Sequence, residues 1–507
     1  MNKKRILVLL LLIIIISIVI YSTFFSLSPA AKESPTPANT SSVVVPTYPS
    51  ITTQVPLREI NYYVSLVGDN TNPGTKDKPW QTIQYAVDHV IPGDTIFLQG
   101  GTYQENVRIS IFGERNRTIT LTSLDDSLVI IDGGDGAALT GEAENWKIKN
   151  LQLTSKADRT LRVLANYWKI QKNKIIGAVY IWGNNNIFEE NEVDGTQHTG
   201  NENGVMDDGP SSHNNLFKGN NIHDFELRGI WSQWLTHDNV FELNHISNIT
   251  AVTGMCIDLD AASNVTYRHI VRGNIVHDCA QTGIELENSY ESLVENNIIY
   301  NTGLEGIQII SYKGCTAGGE NNEYGDANGE CRGDNLNTVV QQNLIINGGR
   351  VGGIVSYQAA GVKMYNNTVH GSSAGFYILG DASYANNWDV QGNIFSDNTR
   401  VQISVEDPGS FSVDKFNLVY NTGENNVYEI RGASSTFYTL EDWQKQFNLG
   451  QGSIEGNPLF IDPTNNDFHL QPDSPAVDSG TNLQIQIDIE GKSRPVGVNY
   501  DMGVYER

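Results

Sequence analysis

Between residues 170 and 395 the chain repeats one short pattern: an apolar residue, two variable residues, Asn, one variable residue, and a second apolar residue. It opens as Ile170-Gln-Lys-Asn173-Lys-Ile175 and Phe188-Glu-Glu-Asn191-Glu-Val193. It recurs around Asn220, Asn244, Asn274, Asn297, Asn343 and Asn367, and closes as Val390-Gln-Gly-Asn393-Ile-Phe395. The Asn-to-Asn steps are 18, 29, 24, 30, 23, 46, 24 and 26 residues. A second mark lies between these, a glycine leading a short alternating strand, at Gly177, Gly204, Gly229, Gly254, Gly283, Gly306, Gly353 and Gly375. Two strand marks per period with no helical period between them predict a coil of strands and turns, stacked so that each coil buries its apolar row on the next. The fold expected is all-β: a right-handed parallel β-helix. A propeller blade needs roughly 40 residues and does not fit these steps. The recurring Asn has two physical uses: it tolerates the left-handed backbone of a tight turn, and its amide can bond to the Asn of the next coil.

Alternation within the glycine-led strands separates inward from outward positions. Aligned, they read Val205-Met206-Asp207-Asp208, Ile230-Trp231-Ser232-Gln233, Ile257-Asp258-Leu259-Asp260, Ile284-Glu285-Leu286-Glu287 and Ile307-Gln308-Ile309-Ile310. First and third positions are mostly apolar and face the core. The outward columns are then Met206, Trp231, Asp258, Glu285, Gln308 and Asp208, Gln233, Asp260, Glu287, Ile310. Asp258, Asp260, Glu285 and Glu287 form a square of carboxylates on neighbouring coils, about 4.8 Å apart across coils and about 6.6 Å along a strand. Four such groups repel one another, so a raised pKa, a cation or a basic neighbour must compensate them.

An open solenoid needs covers at its ends. Pro79-Trp80-Gln-Thr82-Ile83-Gln-Tyr85-Ala86-Val87 predicts a short amphipathic capping helix, and Pro92-Gly93-Asp94 turns into the strand Thr95-Ile-Phe-Leu98. Tyr62-Tyr63-Val64-Ser65, Asn72-Pro73-Gly74-Thr75 and Gly100-Gly101-Thr102-Tyr103 resemble the N-terminal cap of the pectin-lyase-like right-handed parallel β-helix superfamily. Asn457-Pro458-Leu459-Phe460, Asp467-Phe468-His469-Leu470, Ser474-Pro475-Ala476-Val477-Asp478 and Asp501-Met502-Gly503-Val504-Tyr505-Glu506 resemble the tail of exported bacterial β-helix proteins. The resemblance implies fold and export. It leaves the chemistry open, because the superfamily holds lyases, hydrolases, epimerases, esterases and adhesins.

The ends of the chain refine this picture. Lys3, Lys4 and Arg5 precede an apolar run from Ile6 to about Leu27, which reads as a cleaved signal peptide or an uncleaved membrane anchor (residues 1–27). Residues 28–56 are rich in Ser, Thr and Pro and read as a linker; 57–507 are the β-helix, with its tail from about 440. Either N-terminal reading places the body outside the cell or on its surface. A net charge of −25 excludes a nucleic-acid partner, which needs a basic face. An acidic surface can hold Ca²⁺. The expected partner is a polysaccharide or oligosaccharide, the membrane enters only through the first segment, and the chain is expected to be a monomer. Export permits disulfides. Of Cys256, Cys279, Cys315 and Cys331, the last two bracket a Gly/Asn/Glu-rich insertion, so a Cys315–Cys331 bridge is expected.

Three readings of the chemistry follow. In the first, a glycoside hydrolase, Asp260 is the nucleophile and Glu287 the acid/base, with Asp258 and Glu285 tuning or binding; no cofactor is needed. The segment is also similar to the β-helical β-xylosidases, in which an Asp ends one such strand and a Glu ends that of the next coil. Ala261 stands where that family has an aromatic residue. In the second, a lyase or epimerase, Ca²⁺ held by the acidic square or by Asp207 and Asp208 neutralises a uronate, and Lys313 is the base, with Arg350 or Arg228 near. In the third, the chain is a non-catalytic glycan-binding or surface module. Trp231, Trp234, Gln233, Tyr312, Lys313, Tyr357 and Tyr377 are substrate-binding candidates on the same face. His213, His223, His237, His245 and His277 are expected in turns around it. His237-Asp238 and His277-Asp278 read as turn pairs, and His198 and His213 as neighbours of Asp207 and Asp208.

Overall fold

Three short strands per coil, each too brief to bury a face alone, gain stability only by stacking. In the computed structural model they do so along the whole body. The structure describes residues 59–507 except 197–202, 210–211, 261–265, 312–335, 381, 384 and 424–426. Each coil contributes one strand to each of three 14-stranded sheets. The first sheet runs from Asn61–Val64 to Phe411–Lys415, the second from Val107–Ile109 to Thr436–Tyr438, and the third from Gly101–Gln104 to Ile454–Glu455. Pairing is parallel until the last partners of the second sheet, Tyr428–Ile430 and Thr436–Tyr438, which are antiparallel.

The core consists of rows of like residues. Val205, Ile230, Ile257, Ile284, Ile307, Ile354, Phe376 and Ile403 stand in register in the second sheet. All are fully buried. Each such side chain contributes about 2–3 kcal/mol of hydrophobic stabilisation. The glycines lie where the chain turns from the third sheet into the second. A Cβ at Gly306 would lie 2.6 Å from both Gly353 O and Ile345 Cγ2, so the corner admits only glycine.

The recurring Asn side chains form a continuous buried ladder. Asn173 Nδ2 donates to Asn191 Oδ1 at 3.1 Å, and the same bond repeats through Asn220, Asn244, Asn274, Asn297, Asn343, Asn367, Asn393 and Asn417 at 2.9–3.0 Å. The expected left-handed backbone falls one residue earlier: Lys172, Glu190, Gly219, Leu243, Gly273, Asn296, Gln342, Asn366, Gly392 and Phe416 have positive φ. The preceding residue turns the corner, which leaves the Asn free to point inward and bridge coils.

The helix Ile83–Val87, N-capped by Thr82, closes the N-terminal end against Asn61–Val64, Thr95–Leu98 and Val107–Ile109. The helix Leu440–Phe447 closes the other end with Trp443, whose Nε1 donates to Asp414 at 3.1 Å. The tail then folds back: Phe460, Phe468, Leu470, Met502 and Val504 pack on Leu344, Ile346, Ile394 and Leu418 of the third sheet. Cys256 and Cys279 form a disulfide between successive coils, with Cα atoms 5.7 Å apart. The expected Cys315–Cys331 bridge lies outside the described residues.

Candidate active site

Strands Arg228–Gln233, Met255–Asp260, Thr282–Glu287, Glu305–Ile310 and Gly352–Tyr357 lengthen the middle of the second sheet to six residues per strand. Their outward columns are a direct consequence of register. Trp231 faces Asp258, Asp258 faces Glu285, and Glu285 faces Gln308. Two residues further on, Gln233 faces Asp260, while Glu287 faces Ile310 and Ile310 faces Tyr357. Asp258 and Glu285 are buried, at 1% and 4% exposure, whereas Asp260 and Glu287 are half-buried.

Burial on a sheet face forces charge compensation, and one guanidinium, that of Arg228, contributes to it. Arg228 forms an ion pair with Asp258 and lies over the Trp231 ring at 4.4 Å. Trp231 Nε1 donates to Asp260 Oδ2 at 3.2 Å. Glu287 shares a hydrogen bond with Asp260. Burial, followed by the charges of Asp260 and Asp258, pushes the Glu287 carboxyl up to about 8. Burial raises Glu285 well above the usual carboxylate range, with Asp258, Glu287 and Asp260 adding to it. Burial also lifts Asp258 to about 6, against the pull of Arg228. Protons therefore do most of the compensating.

A second polar group adjoins the first. Tyr357 OH donates to Glu305 Oε1 at 2.9 Å, and the Thr282 hydroxyl lies 2.9 Å from Glu305 Oε2 and 3.1 Å from Gln308 Oε1. Burial raises the Glu305 carboxyl and, with the nearby Glu305 charge, the Tyr357 phenol. Tyr377 is buried between Arg400 and Arg431, whose guanidinium carbons lie 5.4 and 4.9 Å from its ring.

Other sequence candidates go elsewhere. Asp207 and Asp208 point to opposite sides of the sheet and do not form a pair. Asp207 is fully buried in the interior, bonded by Ser212, by Ser232 Oγ at 2.9 Å, and by the amides of Asn215 and Asn239 at 3.0 and 2.7 Å. Its strand continues the inward row Ser232–Leu259–Leu286, where an acid replaces the expected apolar residue. Asp208 faces outward and accepts from Tyr180 OH at 3.2 Å. His198, Tyr312 and Lys313 lie outside the described residues. Trp234 is half exposed beyond the end of its strand. His223, His245 and His277 stand in strands of the third sheet rather than in turns. His213 stacks on His237 at 4.7 Å between ring centres. His237 and His277 each bond the following Asp through Nδ1, at 2.6 and 2.7 Å. Ligand atoms of Glu192, Asp194 and His223 converge within 4.8 Å. There the ammonium of Lys174 already sits 2.7 Å from Glu192 and 3.4 Å from Asp194.

A family model described as Pel9A-like, right-handed β-helix region, matches residues 62–227, and a right-handed β-helix region model matches residues 256–418. The chain belongs to the right-handed parallel β-helix superfamily. Among characterised members it is 34% identical over 126 residues to pectate lyase PEL9 of Emericella nidulans. That match spans 23% of this chain and 28% of the lyase. It is 24% identical to the uncharacterized protein YwoF of Bacillus subtilis over 82% of its own length and 91% of that protein. Among solved β-helices, pectate lyase Pel9A superposes with a TM-score of 0.39 at 15% identity, over 88% of this chain and 96% of that one. XylC in complex with xylose superposes with a TM-score of 0.44 at 11% identity, over 88% and 98%.

Arg228, Thr282 and Glu305 occupy the position just ahead of the glycine or its equivalent, paired in register as Arg228 with Met255 and Thr282 with Glu305. An alignment started at the glycine leaves that column unread. Extending it one residue toward the N-terminus exposes an arginine and a further acid on the same face.

Proposed function

We propose that this β-helix cleaves a polysaccharide outside the cytoplasm as a retaining glycoside hydrolase, with Glu287 as acid/base and Asp260 as nucleophile. One observation carries the reading: Glu287 shares a hydrogen bond with Asp260 of the adjacent coil, where burial and the charges of Asp260 and Asp258 raise its carboxyl to about 8. A carboxyl raised by burial beside a second carboxyl suits the role of acid in such a pair. Strands of adjacent coils lie about 4.8 Å apart, close to the roughly 5–5.5 Å between carboxyls that retention requires. Glu287 gives its proton to the glycosidic oxygen as the bond breaks, and Asp260 takes the anomeric carbon. Glu287, now a carboxylate, then deprotonates the water that releases the sugar. Trp231 Nε1 orients Asp260, and Arg228 limits the negative charge of Asp258 beside it. The basic flank and apolar run at the N-terminus support export.

A calcium-dependent lyase is the second reading. Asp258 Oδ1, buried without a hydrogen-bond partner, favours it, as does the local identity to PEL9. In that case Asp258, Asp260 and Glu285 hold the cation, and Lys313 is the base. Against it, the group of metal-ligand atoms that converges among the described residues is Glu192, Asp194 and His223, not the acidic square.

A polysaccharide panel, with and without chelator, distinguishes these readings. New reducing ends without ultraviolet-absorbing unsaturation, indifferent to chelator and lost in E287Q and D260N by more than about a hundredfold, are the expected result. Unsaturated ends abolished by chelator would establish the lyase instead. Glycan binding without any product would leave a binding module.

A further inference from the structure

The outward columns do not end at the acidic square. Toward the N-terminus, Arg162, Tyr180, Met206, Trp231, Asp258 and Glu285 follow one another in register across successive coils. Trp182 follows Ile181, whose register partner Asp207 precedes Asp208. The indole is therefore in line with Asp208, Gln233 and Asp260. It lies just past the end of strand Val179–Ile181 and is 49% exposed. The ring is seated rather than loose. A Cβ at Gly209 would collide with Nε1 and Cδ1 of Trp182, and Gly209 has φ of 102°, so the next coil offers bare backbone under the indole.

Beside this ring is an open cavity of about 580 Å³ lined by Ala137, Arg159, Arg162, Leu164, Tyr180 and Trp182. Arg162 is exposed. Tyr180 is fixed by its bond to Asp208. A flat exposed indole with planar hydrogen-bond donors at its rim suits a sugar ring, which presents an apolar C–H face to stack and equatorial oxygens to bind.

We infer that Trp182, Tyr180 and Arg162 form a remote subsite for a pyranose unit of a polysaccharide laid along the helix axis toward Asp260 and Glu287. The step from Trp182 to Asp260 crosses three coils of the second sheet. At about 4.8 Å per coil this is roughly 14 Å. A pyranose in an extended chain advances by about one coil, so such a chain occupies the aromatic seat and the acidic pair together. The direction of the bound chain rests on the proposed cleavage site, but the seat itself does not. Arg162 donates to hydroxyl or to carboxylate oxygens alike.

Calorimetric titration tests this, using the hexamers and dimers of xylose, of β-1,4-linked glucose and of galacturonic acid, with E287Q as the parent to prevent turnover. At least one hexamer should bind at least tenfold more tightly than its dimer, and W182A should weaken that hexamer about tenfold. Under R162Q, a loss confined to the galacturonate hexamer identifies carboxylate recognition, and a loss shared with the neutral hexamers identifies hydroxyl recognition. Unchanged melting temperatures would show that both variants fold. No hexamer binding, or a W182A variant that binds the hexamer as its parent does, overturns the subsite. A Trp182-dependent dimer in light scattering with no sugar effect overturns it in favour of a second copy of the chain. Full turnover in E287Q with a persisting W182A effect would sink the cleavage assignment alone.

Discussion

Removing Arg228 tests whether protons or ion pairs hold the acidic face together. R228M keeps a long apolar stem over Trp231 and deletes the guanidinium that pairs with Asp258. Breaking a buried ion pair from one side usually costs about 3–5 kcal/mol, because a bare charge is left behind. Asp258 has an escape, since its folded pKa is already raised from 3.8 to about 6. A carboxyl whose folded pKa is raised destabilises the fold only above its unfolded value, and increasingly so until pH passes the folded value. With these values, Asp258 already costs about 3 kcal/mol at pH 7. Without Arg228 it can cost no more than full protonation, about 4.4 kcal/mol at the same pH. The electrostatic loss in R228M is therefore capped near 1.5 kcal/mol at pH 7 and falls almost to nothing at pH 5. Urea unfolding of R228M and the parent at both pH values reads this directly. An equal loss at pH 5 and pH 7, or a loss at pH 7 of 3 kcal/mol or more, would refute the account.

Three further outcomes follow from the geometry. Asp207, Asp258 and Asp414 are raised by burial to about 6 and Glu287 to about 8, so the folded chain binds more protons than the unfolded one between pH 4 and 8. Melting temperature should therefore fall as pH rises through that window, and a calorimetric profile rising from pH 5 to 8 would contradict it. N297L breaks the ladder in the middle, stranding the Asn274 backbone N–H and side-chain amide, and should cost about 3 kcal/mol or more by chemical denaturation, against little for an exposed Asn. Replacing Cys256 and Cys279 together by alanine removes a covalent loop of 23 residues and should cost about 3 kcal/mol, the same amount that reduction of the parent should cost.

The sequence was informative where the governing physics is local. Strand alternation has a period of two, so the direction of Asp258, Asp260, Glu285 and Glu287 could be read from Ile257, Leu259, Ile284 and Leu286 beside them. The Asn repeat marked each coil because a buried amide must find a partner, and the nearest identical one lies in the next coil. Asp207 broke the same rule: it sits at an inward position and is tolerated because Ser212, Ser232, Asn215 and Asn239 surround it. The run from Pro79 to Val87 also marked the N-terminal capping helix, whereas the closing helix Leu440–Phe447 was not legible in the sequence.

What the chain order could not supply is everything summed across coils of unequal length. Arg228 meets Asp258 from 30 residues away and Cys256 meets Cys279 from 23, although Ile230, Ile257 and Ile284 stand in register at equal steps, because the arginine reaches forward along the next strand and the disulfide reaches back to the end of the third-sheet strand Ile275–Cys279. The protonation of Glu287 depends on how much water its neighbours exclude and on the charges of Asp258 and Asp260, and no spacing in the sequence encodes that sum. Alternation decides which way a side chain points. Only the stacked structure decides what it meets there and how dry that place is, because desolvation and Coulomb energy depend on distance in space rather than on position along the chain.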